Sequence, residues 1–216
     1  MKLDFHVHTH FSIDSIIKPQ ELAKKSQKNG IIFANTDHNT IEAHKIFKEL
    51  KIPFIPGEEI RTDLGDLIAL YINELIPKHT PFEEAIDKIH EQGGLAYLPH
   101  MYDKTRKGVI PDKKEISKID IIEIFNSRCL KSQYNIQAAN FALENSKIGA
   151  IGSDSHFLFE FGTSFNEVPD FDLDNPKALL NSLRKAKFNS VSAPFYVRGT
   201  TTFVAMIKKL KKKFSK

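Results

Sequence analysis

Apolar and polar residues alternate over residues 1–8, with Leu3, Phe5 and Val7 on one side of the pattern and Asp4, His6 and His8 on the other. A period of two predicts a strand and puts both histidines on one face. Lys18-Pro19-Gln20-Glu21-Leu22 then opens a helix with proline in its first turn, which runs to Asn29 and stops at Gly30. Residues 31–35 read as a second strand, ending just before Asp37 and His38. The cycle repeats. Residues 41–50 predict a helix, and 53–56 a short strand leading into Gly57-Glu58-Glu59. Residues 66–71 form another apolar run; 81–92 predict a helix broken by Gly93-Gly94, and 95–98 lead to Pro99-His100. A strand at 119–125, a helix at 131–145, an apolar run at 148–151, a helix at 175–186 and a short strand near Ser190 complete the series.

Strand and helix in alternation predict a parallel α/β protein. A length of 216 residues suits one domain, and no Gly-, Pro- or Ser-rich linker divides it. Cys129 stands alone, so no internal disulfide forms and a reducing compartment is the simpler expectation. No apolar run approaches the roughly 20 residues of a membrane helix, and the charged start does not resemble a signal peptide. The expectation is a cytoplasmic protein without integral membrane association.

The net charge of +4 is concentrated at one end: residues 208–216 hold six lysines and no acid. Without them the chain is near neutral, so its overall basicity does not point to nucleic acid. Residues 200–216 predict a basic C-terminal helix, with Phe203, Ile207, Leu210 and Phe214 on one stripe docked against the body. Nucleic acid, or an anionic membrane surface, is the partner its lysine face allows.

Candidate chemistry gathers where apolar runs end. His6 and His8, His38, Glu59, His100, and Asp154 with His156 all fall at or just past the end of such a run. In a parallel barrel those ends converge on one face. His-x-His on a strand sets two imidazoles about 7 Å apart at the Cα level, a spacing that suits two ligands of one ion. Asp154-Ser155-His156 repeats that spacing near the other end of the chain.

The ordered set Asp4-Phe5-His6-Val7-His8-Thr9 with Ser12 and Asp14, Thr36-Asp37-His38, and Gly57-Glu58-Glu59 resembles the PHP (polymerase and histidinol phosphatase) domains. Gly93-Gly94 through His100, Glu123-Ile124-Phe125-Asn126 and Gly152-Ser153-Asp154-Ser155-His156 continue the resemblance. The resemblance implies a distorted (β/α)7 barrel, TIM-like and of PHP type, formed by a single domain over residues 1–216. It also implies two or three divalent ions and phosphoester hydrolysis by a metal-activated water. Carried over by position, His6, His8, Glu59 and Asp154 hold one ion. Glu59 bridges to a second ion that also takes His100, and Asp14, His38 and His156 hold a third. Where many members have a further histidine, this chain has Asp66, a departure that bears on the second ion. Mixed nitrogen and oxygen ligation favours Mn, Zn or Fe and allows Mg. Three divalent ions outweigh the four carboxylates of Asp14, Glu59, Asp66 and Asp154, so such a site attracts an anionic substrate, either a phosphorylated small molecule or a nucleotide.

Other residues have weaker assignments. Asp37 is expected to orient a neighbouring ring, and Asn126 and Arg128 to contact substrate phosphate. Glu58 is expected to be exposed or paired, and His10, His44, His79 and His90 to be surface residues. Three function classes follow: a phosphoesterase, a 5′–3′ or end-processing nuclease on RNA or DNA using the same metals, and a non-catalytic scaffold. The nearly complete ligand set disfavours the scaffold.

Overall fold

The computed structural model describes residues 1–197 and 199–214, with side chains as far as Lys211, so Phe214 of the expected stripe lies outside the described side chains. Seven strands follow one another around a distorted barrel: β1 (Lys2–Val7), β2 (Ile31–Asn35), β3 (Ile55–Arg61), β4 (Asp66–Leu70), β5 (Leu95–Leu98), β6 (Ile121–Asn126) and β7 (Ile148–Gly152). Helices α1 (Pro19–Asn29), α2 (Glu42–Glu49), α3 (Phe82–Glu91), α4 (Lys113–Lys118) and α5 (Ser132–Glu144) lie between them in the chain. After the barrel come β8 (Phe165–Glu167), α6 (Pro176–Leu183), β9 (Lys187–Asn189) and α7 (Thr200–Phe214). The expected α/β barrel is thus present. The chain punctuation works as expected at α1, where proline opens the helix and Gly30, at φ 62°, closes it in the left-handed conformation.

The sheet order is β7-β6-β5-β4-β3-β2-β1-β8-β9. Not every barrel strand is parallel, as alternation alone had predicted: β4 runs antiparallel to both β3 and β5. A tight return at residues 62–65 replaces a helical crossover there, with Thr62 Oγ1 donating to the carbonyl of Gly65. The barrel closes at its upper end, where Val7 bridges Ser155 in parallel. Below that bridge β1 pairs instead with β8, and the seam is filled by a side chain. Asn166 donates to the carbonyls of Leu3 and Ile151 and accepts from the Ile151 amide.

Three local differences from the sequence reading matter for the site. Strand β3 does not stop at Pro56 but runs through Glu58 and Glu59 to Arg61. Alternation then sends Glu59 toward the barrel interior and Glu58 the opposite way. Strand β1 does not keep its apolar residues on one face. Leu3 and Phe5 join a cluster drawing on all seven barrel strands, whereas Val7 joins the cluster beneath α1 and α2. A register irregularity between Asp4 and Val7 is where the strand switches. Helix α4 and strand β8 are additional short elements. Asp112 caps α4 with a reciprocal Glu115 contact, but six residues are too few for a helical period to register.

His44, expected at the surface, and Glu58, expected to be exposed or paired, are both buried. His44 lies on the buried face of α2, where the Gly57 amide donates to its Nε2. Burial holds this ring neutral, with a pKa lowered to about 4. Glu58 is fully buried, accepting from the Ile76 amide through Oε2 while Oε1 has no partner. His10, His79 and His90 are exposed, as expected. Helix α7 departs from expectation too: Phe203 and Leu210 are 59% and 49% exposed, while Lys208 turns inward.

Burial raises the Glu58 carboxyl to about 7, partly offset by the Ile76 amide. A raised acid binds its proton more tightly folded than unfolded, so this group weakens the fold as pH rises from its ordinary value of 4.5 through about 7. Glu58→Gln is therefore expected to be more stable than the parent by about 1–3 kcal/mol at pH 8, with the gap closing below pH 5. Denaturant titrations at the two pH values measure it, and a pH-independent gap would contradict the assignment.

Candidate metal centre

Antiparallel β4 has a consequence at the top of the barrel. Asp66 is its first residue, so reversal brings it to the same rim as the carboxyl ends of the parallel strands. There the structure gathers His6 and His8 from β1 and its end, His38 after β2, Glu59 from β3, and Asp66 from β4. His100 follows β5, Asp154 and His156 follow β7, and Asp14 comes from the loop after β1. All nine sequence-derived ligand candidates meet around one cavity floor.

The geometry is close. Glu59 Oε2 lies 3.3 Å from both His6 Nε2 and His8 Nε2 and 3.2 Å from His38 Nδ1, while its Oε1 is 3.1 Å from His100 Nε2. Asp154 Oδ1 lies 3.4 Å from His8 Nε2 and 3.6 Å from His6 Nε2. Asp14 Oδ2 is 3.5 Å from His38 Nε2 and 3.2 Å from His156 Nε2. Four overlapping triads have ligand atoms close enough for one ion each: His8-His38-His156, His6-His100-Asp154, His6-His8-Glu59 and Glu59-Asp66-His100. His8 falls between the expected first and third groups. His100 and Asp154 sit in left-handed backbone conformations, at φ 27° and 56°, a cost that side-chain-bearing residues accept where geometry is otherwise fixed.

Hydrogen-bond direction tests whether these groups suit a cation. Ser12 Oγ must donate to Asp37, since a carboxylate has no proton to give. Ser12 Oγ therefore accepts from His8 Nδ1, which carries the ring proton and leaves Nε2 with a bare lone pair. Burial, with His156 and His38 nearby, holds His8 far below its usual pKa, so the ring is neutral. That lone pair faces carboxylate oxygens of Glu59 and Asp154, and neither His8 Nε2 nor Asp154 Oδ1 has a hydrogen-bond partner. Buried acceptors aimed at one another are stable only with a positive charge between them. The residues fit divalent cations.

Supporting residues surround this centre. Asp37 accepts from Thr9 N, Thr9 Oγ1, Ser12 Oγ and Asn35 Nδ2, so it orients His8 through Ser12, as a ring-orienting role requires. It does not cap α2, whose N-terminal cap has no side-chain bond. Glu123 carries no role in the sequence reading, yet it accepts from His6 Nδ1, the His100 amide, Asn126 Nδ2 and Tyr97 OH. A lone acid inside the apolar run of β6 was the available signal. Burial opposes protonation of His6, but Glu123 and Glu59 raise it to about 9. His38 is raised to about 9 against the same burial by Glu59 and Asp14. Burial lowers His156 to about 4, with Asp14 pulling the other way. The same carboxylates that favour a proton on His6 and His38 would favour a cation in its place.

A cavity of about 360 Å³ opens above the centre, and Arg61, Arg106, Lys107 and Arg128 lie on its wall. Arg61 pairs with Asp66 through Nε, and Arg106 pairs with Asp154 and donates to Asn126 Oδ1. Arg61 and Arg106 escaped the sequence reading because nothing local marks them. Asn126 also donates to Asp154 Oδ2, 2.9 Å away. Arg128 is neither on the surface nor unencumbered: it is buried, paired with Glu160 and donating to the Val197 carbonyl. Glu160 in turn accepts from the His156 and Phe157 amides and so braces His156.

The family model for the PHP domain matches residues 4–139, and a PHP-associated model matches residues 132–188. An uncharacterized protein of Methanocaldococcus jannaschii is 34% identical over 217 residues, covering 92% of this chain and 88% of that one. A two-domain protein from Bacteroides vulgatus, containing a predicted PHP-like metal-dependent phosphoesterase, superposes with a TM-score of 0.69 at 16% identity. That match covers 88% of this chain and 65% of the other. Endonuclease Q, solved with a 27-mer duplex substrate with an abasic lesion at the active site, superposes with a TM-score of 0.56 at 17% identity, covering 85% and 56%. The chain thus spans about two thirds and just over half of these two structures, and at such identities the likeness is one of fold. Among the described residues, no helix is long and apolar enough to cross a membrane.

Because Glu123 holds the rings from behind, Glu123→Gln is expected to weaken Mn²⁺ or Zn²⁺ binding by about 10–100-fold without unfolding the chain. Calorimetric titration of the metal-stripped protein tests this, and unchanged affinity would remove Glu123 from the supporting set.

Proposed function

Because the chain belongs to the PHP domain family, we propose that it is a hydrolase that cleaves phosphoesters with two or three divalent cations. The observation that carries this reading is the buried, unpartnered His8 Nε2 opposite Asp154 Oδ1 and Glu59, beneath a cavity walled by cations. His6, His8, Glu59 and Asp154 would hold one ion. Glu59, His100 and Asp66 would hold a second, and Asp14, His38 and His156 a third. Bound ions of this kind supply an acidified water and positive charge for phosphate oxygens.

The chain's own residues do the rest. Ser12 and Asp37 fix the tautomer of His8, and Glu123 does the same for His6. Glu160 braces His156. Arg106 and Arg61 pair with Asp154 and Asp66 at the cavity wall, and were those carboxylates to hold a metal, the guanidinium groups would be left with donors facing the cavity. Their planar forks suit phosphate oxygens. Lys107 adds charge at the same wall, and Arg128, fixed by Glu160, adds it at the rear. Asn126 contacts both Arg106 and Asp154 and is assigned to align substrate against them.

A second reading, an end-processing nuclease, draws on one specific feature. Phe195, Tyr196 and Phe203 are exposed beside the lysine-bearing α7, whose Thr201 and Thr202 line the cavity. Aromatic faces next to basic side chains are what stacked single strands use, and the fold likeness to endonuclease Q agrees. A phosphate-release panel of phosphomonoesters, nucleotides and short oligonucleotides separates the two readings.

His8→Ala and Asp154→Ala are each expected to lower phosphate release at least about a thousandfold at saturating Mn²⁺, with far-UV dichroism preserved. Wild-type turnover in either variant at matched metal content would refute the mechanism. Asp66→His is expected to fold, to lose the Arg61 pair and to shift preference toward Zn²⁺. Elemental analysis after growth in mixed metals reads that shift, and an unchanged metal ratio would count against Asp66 as a ligand.

A further inference from the structure

We infer that Lys208, far from the centre in sequence, is a positioning residue for the Asp14 side of the metal centre. It acts by clamping the main chain on both sides of Asp14. The inference rests on the proposed metal-dependent reading, because what it positions is a proposed ligand.

Asp14 is the weakest-held member of the constellation. It belongs to no strand, its Oδ1 has no partner, and its other oxygen meets only His38 and His156. Its place therefore depends on the loop that carries it. Part of that loop is tied down from the barrel side, where Ser15 Oγ lies 3.0 Å from the carbonyls of His8 and His156, its one proton shared between them, and the Ile16 amide donates to the His156 carbonyl. Three further carbonyls of the loop are gathered by one ammonium group. Lys208 Nζ donates to the carbonyls of His10, Ser12 and Ser15 at 2.8, 2.7 and 2.6 Å. All three donors of the ammonium are used. Ser12 and Ser15 lie two residues before and one after Asp14, so the bonds span the ligand. A surface lysine with a solvated head would have no reason to converge on three main-chain oxygens.

The rest of α7 supports a clamp rather than a packed helix. Phe203, Met206 and Leu210 are about half exposed or more, and only Val204 and Ile207 among its larger described apolar residues are partly buried. The inward face instead presents Lys208 to the loop and Thr201 and Thr202 to the cavity. The polar contacts of Lys208 thus do for this helix what an apolar stripe does for the others, and they join it to the centre. Through the same loop, Ser12 also orients His8, so the clamp acts at the junction of two proposed ion sites.

The test is metal binding by the full chain, not turnover. Lys208→Met keeps the stem length and helix propensity and removes the donors. It is expected to lose close to one equivalent of bound Mn²⁺ per chain, or to bind the last equivalent at least about tenfold more weakly. Calorimetry and elemental analysis of the dialysed protein read both. Lys208→Arg, which keeps donors on a similar stem, is expected to restore most of the binding. Lys209→Met, which removes the same charge from an exposed position, is expected to bind like the parent. Parent-like stoichiometry and affinity in Lys208→Met, or an equal loss in Lys209→Met, would overturn the clamp while leaving the metal-dependent reading intact. A parent chain that takes up no divalent metal would overturn that reading, and the clamp with it.

Discussion

His8 Nε2 and Asp154 Oδ1 face each other across 3.4 Å, both buried and neither with a hydrogen-bond partner. Each buried unsatisfied acceptor costs about 1–3 kcal/mol, and the carboxylate of Glu59 adds a further negative group to the same few ångströms. A fold does not keep such an arrangement on hydrophobic grounds. Such a cluster suits a shared cation, and much of the surrounding structure holds its members apart and aimed at one point. Asp37 and Ser12 fix one ring, Glu123 fixes another and braces a third through the His100 amide, and Glu160 pins the backbone of His156.

The barrel is the means of bringing them together. Seven strands end at one rim, and the single antiparallel strand still contributes, because its first residue rather than its last lies there. Beneath the rim a cluster that draws on every strand, including Leu3, Ile55, Ile68, Tyr97 and Ile121, supplies the apolar floor. That floor keeps the centre dry, which strengthens each electrostatic contact above it. The arginines complete the arrangement. Paired with Asp66 and Asp154, they balance charge at the wall of the cavity, and the same pairing places their guanidinium groups where phosphate oxygens would enter.

The C-terminal helix changes meaning in this setting. Its lysines suggested a solvated basic face, and its apolar residues a docking stripe. Instead Lys208 faces inward on main-chain carbonyls, and Phe203, Met206 and Leu210 remain largely outside. Tertiary context reversed a pattern that local amphipathicity had made plausible.

Much of the site was legible in the sequence, because metal ligands must be histidines and acids and because strand ends lie at apolar-to-polar transitions. His6, His8, His38, Glu59, His100, Asp154 and His156 could be placed that way, but which of Glu58 and Glu59 faces inward was set only by the extension of β3 to Arg61. The order of strands and helices was legible for the same reason, since period and punctuation are local properties. Glu123, Arg106 and Lys208 were not, because each acts on a partner some twenty residues or more away; Arg61 acts across a tight antiparallel return, and Glu160 joins the nearby His156 amide to the distant Arg128. The burial of His44 and Glu58, the reversal of β4 and the switch of faces along β1 belong with them. Local sequence specifies which side chains can bind charge and roughly where the backbone turns. Which of those side chains share a low-dielectric space, and which distant donors hold them there, is decided only when the barrel closes.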